Sequence, residues 1–391
     1  MLDFLQADLE KRKTLGLTRQ RRLLDSPQAE HITANGQRYL SFCSNDYLGL
    51  ANDAALVTAL QQAAAEAGVG SGASNLITGH HRYHDQLEHA LATLVGKPAA
   101  LLFSTGYMAN IGVISALMGR DDAVFSDKLN HACLNDGAFL SRANHHRFPH
   151  NDVAALEKLL QTSTARHKLI TADAVFSMDG DIAPLAAYLE LCERYDAYLY
   201  VDDAHGFGVL GPQGRGTLKH LGLESPRLIM MGTLGKAAGV AGAFVAGEQV
   251  VIDYLIQYAN SYIYTTPAPP PLSAALLASV HEIEHGDARR QQLFAMINLL
   301  KSELSLMRWH LLPSETAIQP LIVGDNFEAL ALSQYLQTRG ILVPAIRPPT
   351  VPVNSSRLRI SLSATHGEQE VRALIDALHE AERIIPVREQ A

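Results

Sequence analysis

The sequence predicts an α/β chain: a large domain with a mostly parallel sheet between helices, followed by a small C-terminal α+β domain. From about residue 50, short apolar runs alternate with amphipathic stretches of helical period, the pattern of crossover units. The run Thr265-Thr266-Pro267-Ala268-Pro269-Pro270-Pro271 breaks this rhythm, and beyond it the tail reads as strand, helix, strand, strand and helix. With 391 residues, 47% hydrophobic and 18% charged, the chain has material for one large or two medium domains.

The N-terminus, MLDFLQADLEKRKTLG, places apolar and charged residues at helical spacing. It lacks the continuous apolar core of a signal peptide, and no later stretch reaches spanning length, so a soluble, unprocessed chain is expected. Expected strands of the large domain include Leu101–Ser104, Leu169–Ala174, Tyr198–Asp202, Leu228–Gly232 and Ala243–Ala246. Helical runs lie between them at Gly106–Leu117, Val153–Leu160 and Pro184–Tyr195, the last opening on a proline suited to a first helical turn. After the proline run, a helical tract from Leu272 to Met307, interrupted at Gly286, is expected to tie the two domains together. The tail elements are strand Ala317–Val323, helix Glu328–Thr338, strand Ile341–Ala345, strand Arg357–Ser363 and helix Gln369–Ile384.

Formal net charge is −8, and Lys and Arg are scattered. No electrostatic footprint for nucleic acid or an anionic membrane follows, which leaves a small molecule as the expected partner. Cys43, Cys133 and Cys192 are widely spaced without a CxxC pair, so neither a disulfide framework nor a cysteine zinc site is supported, and a reducing cytoplasm fits.

Two segments point to chemistry. In Tyr200-Val201-Asp202-Asp203-Ala204-His205-Gly206 an apolar strand ends in two acids and a histidine, and open α/β sheets bind ligands at the carboxyl ends of their strands. In Gly232-Thr233-Leu234-Gly235-Lys236-Ala237-Ala238-Gly239 a lysine follows another strand among small residues that let a planar ligand approach the backbone. Such a lysine can lose its proton and form a Schiff base. A strand ending in Asp-Asp is also commonly a solvated turn or a helix cap. The Gly-Lys lacks the hydroxyl residue of a phosphate loop, and Gly68, Gly70 and Gly72 follow a helix-like stretch, Ala54–Ala67, where a dinucleotide fingerprint needs a strand. His80 and His84 could share one helical face, but no glutamate completes a HExxH site. A metal hydrolase using Asp202, Asp203 and His205 is the rival enzyme class.

These segments together resemble the α-oxoamine synthases, from about Arg19 to His366. The markers are SFCSNDYLGL (41–50), GVGSGASNLITGH (68–80), FSTGYMAN (103–110), FSMDGDIAPL (176–185), VDDAHGFGVLG (201–211), TLGKAAG (233–239), AIQPLIVGDN (317–326), AIRPPTVP (345–352) and RLRISLSATH (357–366). The resemblance implies an aspartate-aminotransferase-like fold with a seven-stranded type of sheet. It divides the chain into an N-terminal helix and short strands (1–48), a pyridoxal-phosphate-binding domain (49–285) and a small domain (286–391).

It also implies the site. Lys236 holds pyridoxal 5'-phosphate as a Schiff base and then acts as the base. Asp202 faces the pyridine nitrogen, His205 bonds the phenolic oxygen with Ser177 nearby, and His131 stacks on the ring and borders the substrate. The phosphate lies at Gly106 and Tyr107, where a turn enters a helix, with a hydroxyl from Thr233. Thr265 and Thr266 of a second subunit complete that pocket, which implies a homodimer with its active site at the interface. Arg359 and Asn45 hold the amino-acid carboxylate; alternation puts Arg357 on the same strand face as Arg359, so spacing alone leaves both open. Arg19 and Thr350 contact the acyl partner.

The implied reaction is a decarboxylative condensation of L-alanine with a pimeloyl thioester, carried on coenzyme A or an acyl carrier protein. A glycine and acetyl-CoA enzyme of the same family is the alternative, and a catalytically silent subunit partner is another. Val353-Asn354, where relatives often have glycine, and Asn75, where many have arginine, are departures that bear on acyl specificity.

Overall fold

A computed structural model describes residues 1–19 and 21–386. Its strands, in chain order, are β1 (His31–Ala34), β2 (Gln37–Ser41), β3 (Ala99–Phe103), β4 (Ala123–Asp127), β5 (Asn144–Phe148), β6 (Lys168–Asp173), β7 (Tyr198–Asp202), β8 (Leu228–Thr233), β9 (Ala243–Gly247), β10 (His310–Leu311), β11 (Ile318–Gly324), β12 (Ile341–Leu342), β13 (Ala345–Ile346) and β14 (Ser356–Ser361). The chain forms two compact units, one of residues 48–177 and 181–290, the other of 1–47, 178–180 and 291–391.

The larger unit is built on a seven-stranded sheet in the order β3-β9-β8-β7-β6-β4-β5. Neighbours from β8 to β5 pair in parallel, whereas β9 runs antiparallel to both β8 and β3. The mostly parallel sheet expected from the alternation is therefore present. Its central strands are apolar runs because both faces are covered by helices; all five residues of β4 and of β9 are buried. Helix Gly106–Leu117 is largely apolar and packs Ala109, Val113 and Ile114 into a core that includes Leu101, Phe103, Tyr200, Ile229 and Met231, with Asn110 buried beside them.

Two strands of this sheet were absent from the expected set. β5, Asn-His-His-Arg-Phe, is a partly exposed edge strand with one buried residue, Phe148, so it carries no apolar run. Its histidines have local partners: His146 stacks on Phe125, and His145 Nε2 lies 2.9 Å from Ser126 Oγ. β4 is a short run ending in Ser126 and Asp127. The stretch Ala54–Ala67 is a helix, and the tract after the proline run forms helices Pro270–Glu284 and Asp287–Glu303, with Pro270 and Pro271 in a first turn where their missing N–H groups cost nothing. His80 lies before helix Arg82–Val95, whose N-cap is His81, so His80 and His84 do not share a helical face as expected; His84 Nδ1 instead accepts the His81 N–H in a capping box.

The smaller unit holds a sheet ordered β1-β2-β12 and an antiparallel sheet ordered β10-β11-β14-β13. The single strand expected over Ile341–Ala345 is in fact two. Pro344 cannot donate to a ladder, and the chain switches sheets there, β12 pairing with β2 and β13 with β14. Helix Leu2–Thr14 forms where the spacing predicts it, with no buried residue. No helix among the described residues is long and apolar enough to cross a membrane.

Candidate active site

In the larger unit the chemistry gathers at the carboxyl ends of the sheet, where β6, β7 and β8 finish on Asp173, Asp202 and Thr233. Asp173 and Asp202 are register partners, so two carboxylates lie side by side. Asp202 is 4% exposed; its Oδ2 accepts from Asn110 Nδ2 at 2.7 Å and its Oδ1 from the Ala204 N–H at 3.0 Å. Burial, and then the neighbouring charge of Asp202, push the Asp173 carboxyl well above the usual carboxylate range. Its Oδ2 accepts the backbone N–H of His131 at 2.8 Å.

The second acid of the Asp-Asp pair has a different task. Asp203 is fully buried and accepts from the Thr217 N–H at 2.7 Å and from Thr217 Oγ1 at 2.5 Å, closing the loop between residues 203 and 217. Burial raises its pKa to about 7 against these hydrogen bonds. A Cβ at Gly206 or Gly216 would come within 2.2 Å of its carboxylate, so glycine lets the loop close over it. Asp203 is thus the loop's internal staple, which removes one ligand from the rival metal reading.

Beyond β8 the lysine is held in a tight turn, with the Gly239 N–H on the Lys236 carbonyl at 2.8 Å, and its Nζ lies 2.9 Å from His205 Nε2. Gly239 has φ +73°, and a Cβ there would sit 2.5 Å from the carbonyl carbon of Leu50. Gly239→Ala is therefore expected to destabilise the unit by about 1–3 kcal/mol or more and to loosen the lysine turn, as a lowered denaturation midpoint would report.

Helix Gly106–Leu117 begins beside the end of β8. Thr105 caps it, Oγ1 accepting the Met108 N–H at 3.1 Å, and a Cβ on Gly106 would lie 3.9 Å from Thr233 Oγ1. Glycine, free helix N–H groups and a hydroxyl make a cradle for an anion. Tyr107 follows, its hydroxyl bonded to Asp136. Thr265 and Thr266 lie between helices Asn260–Ile263 and Pro270–Glu284; Thr266 is exposed and its carbonyl accepts from Ser104 Oγ at 3.3 Å.

His131 is the N-cap of helix Ala132–Ser141, and its Nδ1 lies 2.7 Å from Cys133 Sγ. Ser177 opens the turn of a hairpin bridged at Val175 and Ile182. That hairpin is pinned by a histidine: His150 Nε2 lies 2.9 Å from Asp181 Oδ2, and its Nδ1 3.2 Å from Asp127 Oδ1. Burial opposes its charge, but the two carboxylates outweigh this and raise its pKa to about 10. Because the folded value lies above the unfolded one, near 6.5, the stabilisation is full below about pH 6.5 and is lost as pH rises through 10. The difference in denaturation midpoint between wild type and His150→Asn is expected to shrink over that window.

The smaller unit carries the remaining candidates. Arg359, 6% exposed on β14, donates from Nη1 to Asn45 Oδ1 at 3.1 Å and to Ser361 Oγ at 2.8 Å, with Tyr47 Oη 3.5 Å from Nη2. Arg357, on the same strand face, is ion-paired with Asp179 and donates to the Met178 carbonyl. Arg19 is exposed in the non-helical segment after helix Leu2–Thr14. It neighbours Arg347, whose pKa falls through burial and then the Arg19 charge, and whose carbonyl accepts the Thr350 N–H at 3.1 Å.

An amine beside a histidine, a carboxylate at a strand end, and a glycine-threonine cradle at a helix N-terminus are the groups that a pyridine ring carrying an aldehyde and a phosphate needs, and the larger unit fits that cofactor. The model for class I and II aminotransferases matches residues 37–378. The chain is 58% identical over 382 residues to 8-amino-7-oxononanoate synthase of Methylobacillus flagellatus, covering 98% of this chain and 96% of that one. It is 59% identical to the enzyme of the same name from Nitrosospira multiformis, over 97% and 96%. Among solved structures, serine palmitoyltransferase of S. paucimobilis superposes with TM-score 0.92 at 29% identity, covering 97% of each chain. The 8-amino-7-oxononanoate synthase of Francisella tularensis does so with TM-score 0.74 at 30% identity, covering 89% and 99%. The chain belongs to the class I and II aminotransferase family and, within it, to the 8-amino-7-oxononanoate synthases.

Proposed function

We infer that the chain is a pyridoxal-phosphate-dependent acyltransferase of biotin biosynthesis. It condenses L-alanine with a pimeloyl thioester to give 8-amino-7-oxononanoate, carbon dioxide and the free thiol carrier. The observation that carries this reading is the placing of Lys236 Nζ 2.9 Å from His205, on a sheet whose next strand ends in Asp202, in a chain so similar to enzymes of that name.

Pyridoxal phosphate, when bound, supplies a protonated ring that takes up the electron pair left at the α-carbon by loss of a proton or of carbon dioxide. Lys236 would anchor it through Nζ and would hold the proton taken from the α-carbon of alanine. Asp202, kept in place by Asn110 and the Ala204 N–H, holds the proton on the pyridine nitrogen. His205, with Ser177, donates toward the phenolic oxygen. Gly106, Tyr107 and Thr233 bind the phosphate, joined by Thr265 and Thr266 of a second copy of the chain; the exposure of Thr266, beside the 80% exposed Tyr264, is what supports an interfacial role. His131 would help hold the cofactor ring and border the acyl substrate. In the smaller unit, Arg359 with Asn45 holds the alanine carboxylate, and Arg19 and Thr350 meet the acyl donor.

The test is turnover of purified protein with alanine, glycine or serine against pimeloyl, acetyl and long-chain thioesters on coenzyme A and on a carrier protein, with mass measured in native solution. Alanine and pimeloyl thioester by a dimer is the expected pair. Product from glycine and acetyl-CoA alone would overturn the substrate assignment.

A further inference from the structure

A buried set of hydrogen bonds joins the carboxylate of Asp202 to the imidazole of His131. Tyr200 Oη donates to Asn110 Oδ1 at 2.7 Å, which fixes the amide so that its Nδ2 points at two acceptors, Asp202 Oδ2 at 2.7 Å and Cys133 Sγ at 2.9 Å. The sulfur in turn lies 2.7 Å from His131 Nδ1. Asn110 is fully buried, Tyr200 likewise, and Cys133 is 2% exposed.

We propose that Cys133 is a positioning residue that holds His131 as the Nε2–H tautomer, so that the ring presents one donor and no acceptor to the acyl thioester. The proposal rests on the reading of His131 as a neighbour of that substrate. Two independent donors converge on Nδ1. The backbone N–H of Cys133 points at it from 3.4 Å as part of the helix cap, and a backbone N–H can only donate. The thiol is the second. Asn110 already donates to the sulfur, so the single thiol proton is left for Nδ1. Burial, then the charge of Asp202, raises the thiol pKa to about 12, which keeps that proton in place at any working pH.

A nitrogen that accepts from both donors carries no proton, and a neutral imidazole then has its proton on Nε2. The anchoring extends to the main chain, because the His131 backbone N–H is itself held by Asp173 Oδ2. A fixed Nε2–H suits a thioester carbonyl oxygen, which only accepts, and it offers nothing to a second donor. The class of group recognised at this point is therefore a carbonyl acceptor, which is where negative charge develops when the carbonyl is attacked.

The decisive measurement is the 15N spectrum of ring-labelled histidine in the pyridoxal-phosphate-loaded enzyme without substrate, with the His131 signals assigned by their loss in His131→Asn. Wild type is expected to show an unprotonated, hydrogen-bonded Nδ1 and a protonated Nε2. Cys133→Ser, which keeps a donor, retains that pattern; Cys133→Ala and Cys133→Val, which lack one, lose it to a mixture of tautomers. A mixture halves the competent fraction and removes one hydrogen bond, so KM for the acyl thioester is expected to rise about two- to fivefold in those variants while KM for alanine holds. A protonated Nδ1 in wild type, or unchanged nitrogen shifts in both Cys133→Ala and Cys133→Val, overturns the proposal. The spectrum is read without turnover, so failure of the substrate assignment leaves this outcome distinct.

Discussion

Lys236→Ala is expected to lower kcat by at least about a thousandfold. One side chain is asked to do two jobs, covalent anchoring and proton transfer, and its Nζ lies 2.9 Å from His205 Nε2. General acid-base catalysis alone contributes about 10²–10⁴ in rate, and the variant also loses the displaceable amine that positions the cofactor. The wild-type protein should be yellow, and borohydride should bleach the band and leave a reduced adduct on the peptide containing Lys236. The variant should retain the cofactor only reversibly and give no such adduct. Lys236→Arg does not rescue, since a guanidinium stays protonated and cannot form the imine. Activity persisting in a colourless Lys236→Ala protein, and lost instead to a chelator, would restore the metal-hydrolase reading.

The sequence made the large sheet legible wherever a strand is a buried apolar run. Tyr198–Asp202 was placed to the residue, and so was helix Gly106–Leu117. It hid β5, whose polar edge residues carry no period, and it hid the break at Pro344, where one apolar stretch serves two sheets. Motif reading singled out Lys236, Asp202 and His205 as groups beside strand ends, but a strand end in Asp-Asp is as commonly a solvated turn or a cap, and their roles came only with the resemblance across separated segments. It missed Asn110, Cys133, Tyr200 and Asp173. Their importance lies in contacts across 23 to 92 residues of chain, such as Asn110 to Asp202, and nothing local announces them. A polar residue on the buried face of an otherwise apolar helix was the one available signal for Asn110, since such a group must find partners. Asp203 illustrates the converse. Adjacent acids looked equivalent, yet alternation sends the two side chains to opposite sides, and the glycines at 206 and 216 leave room for only one of them in the loop.

The ambiguity between Arg357 and Arg359 is of the same kind, and it frames the second large effect. Both are buried on one face of β14. Arg357 has a carboxylate partner in Asp179, and its neighbours are the backbone carbonyls of Ser355 and Met178, so it holds the 178–180 turn to the smaller unit's own strand. Arg359 instead hydrogen-bonds an amide and two hydroxyls, from Asn45, Ser361 and Tyr47, which aim its guanidinium. Removing an arginine from a buried, charge-assisted contact to a ligand carboxylate costs about 2–5 kcal/mol, which is a rise of roughly 30- to 5000-fold in KM for alanine. Arg359→Ala should therefore raise KM for alanine by that range, leave the cofactor band intact, and leave KM for the acyl thioester within a few fold. Arg359→Lys recovers little, because an ammonium cannot reproduce the bidentate fork. Asn45→Ala should give a smaller rise of about fivefold, the worth of one orienting hydrogen bond. Arg357→Ala separates the two roles: it should lower the denaturation midpoint through loss of the Asp179 pair while KM for alanine changes far less than in Arg359→Ala. If the alanine KM instead follows Arg357, the carboxylate site belongs to that residue and the assignment of Arg359 is wrong.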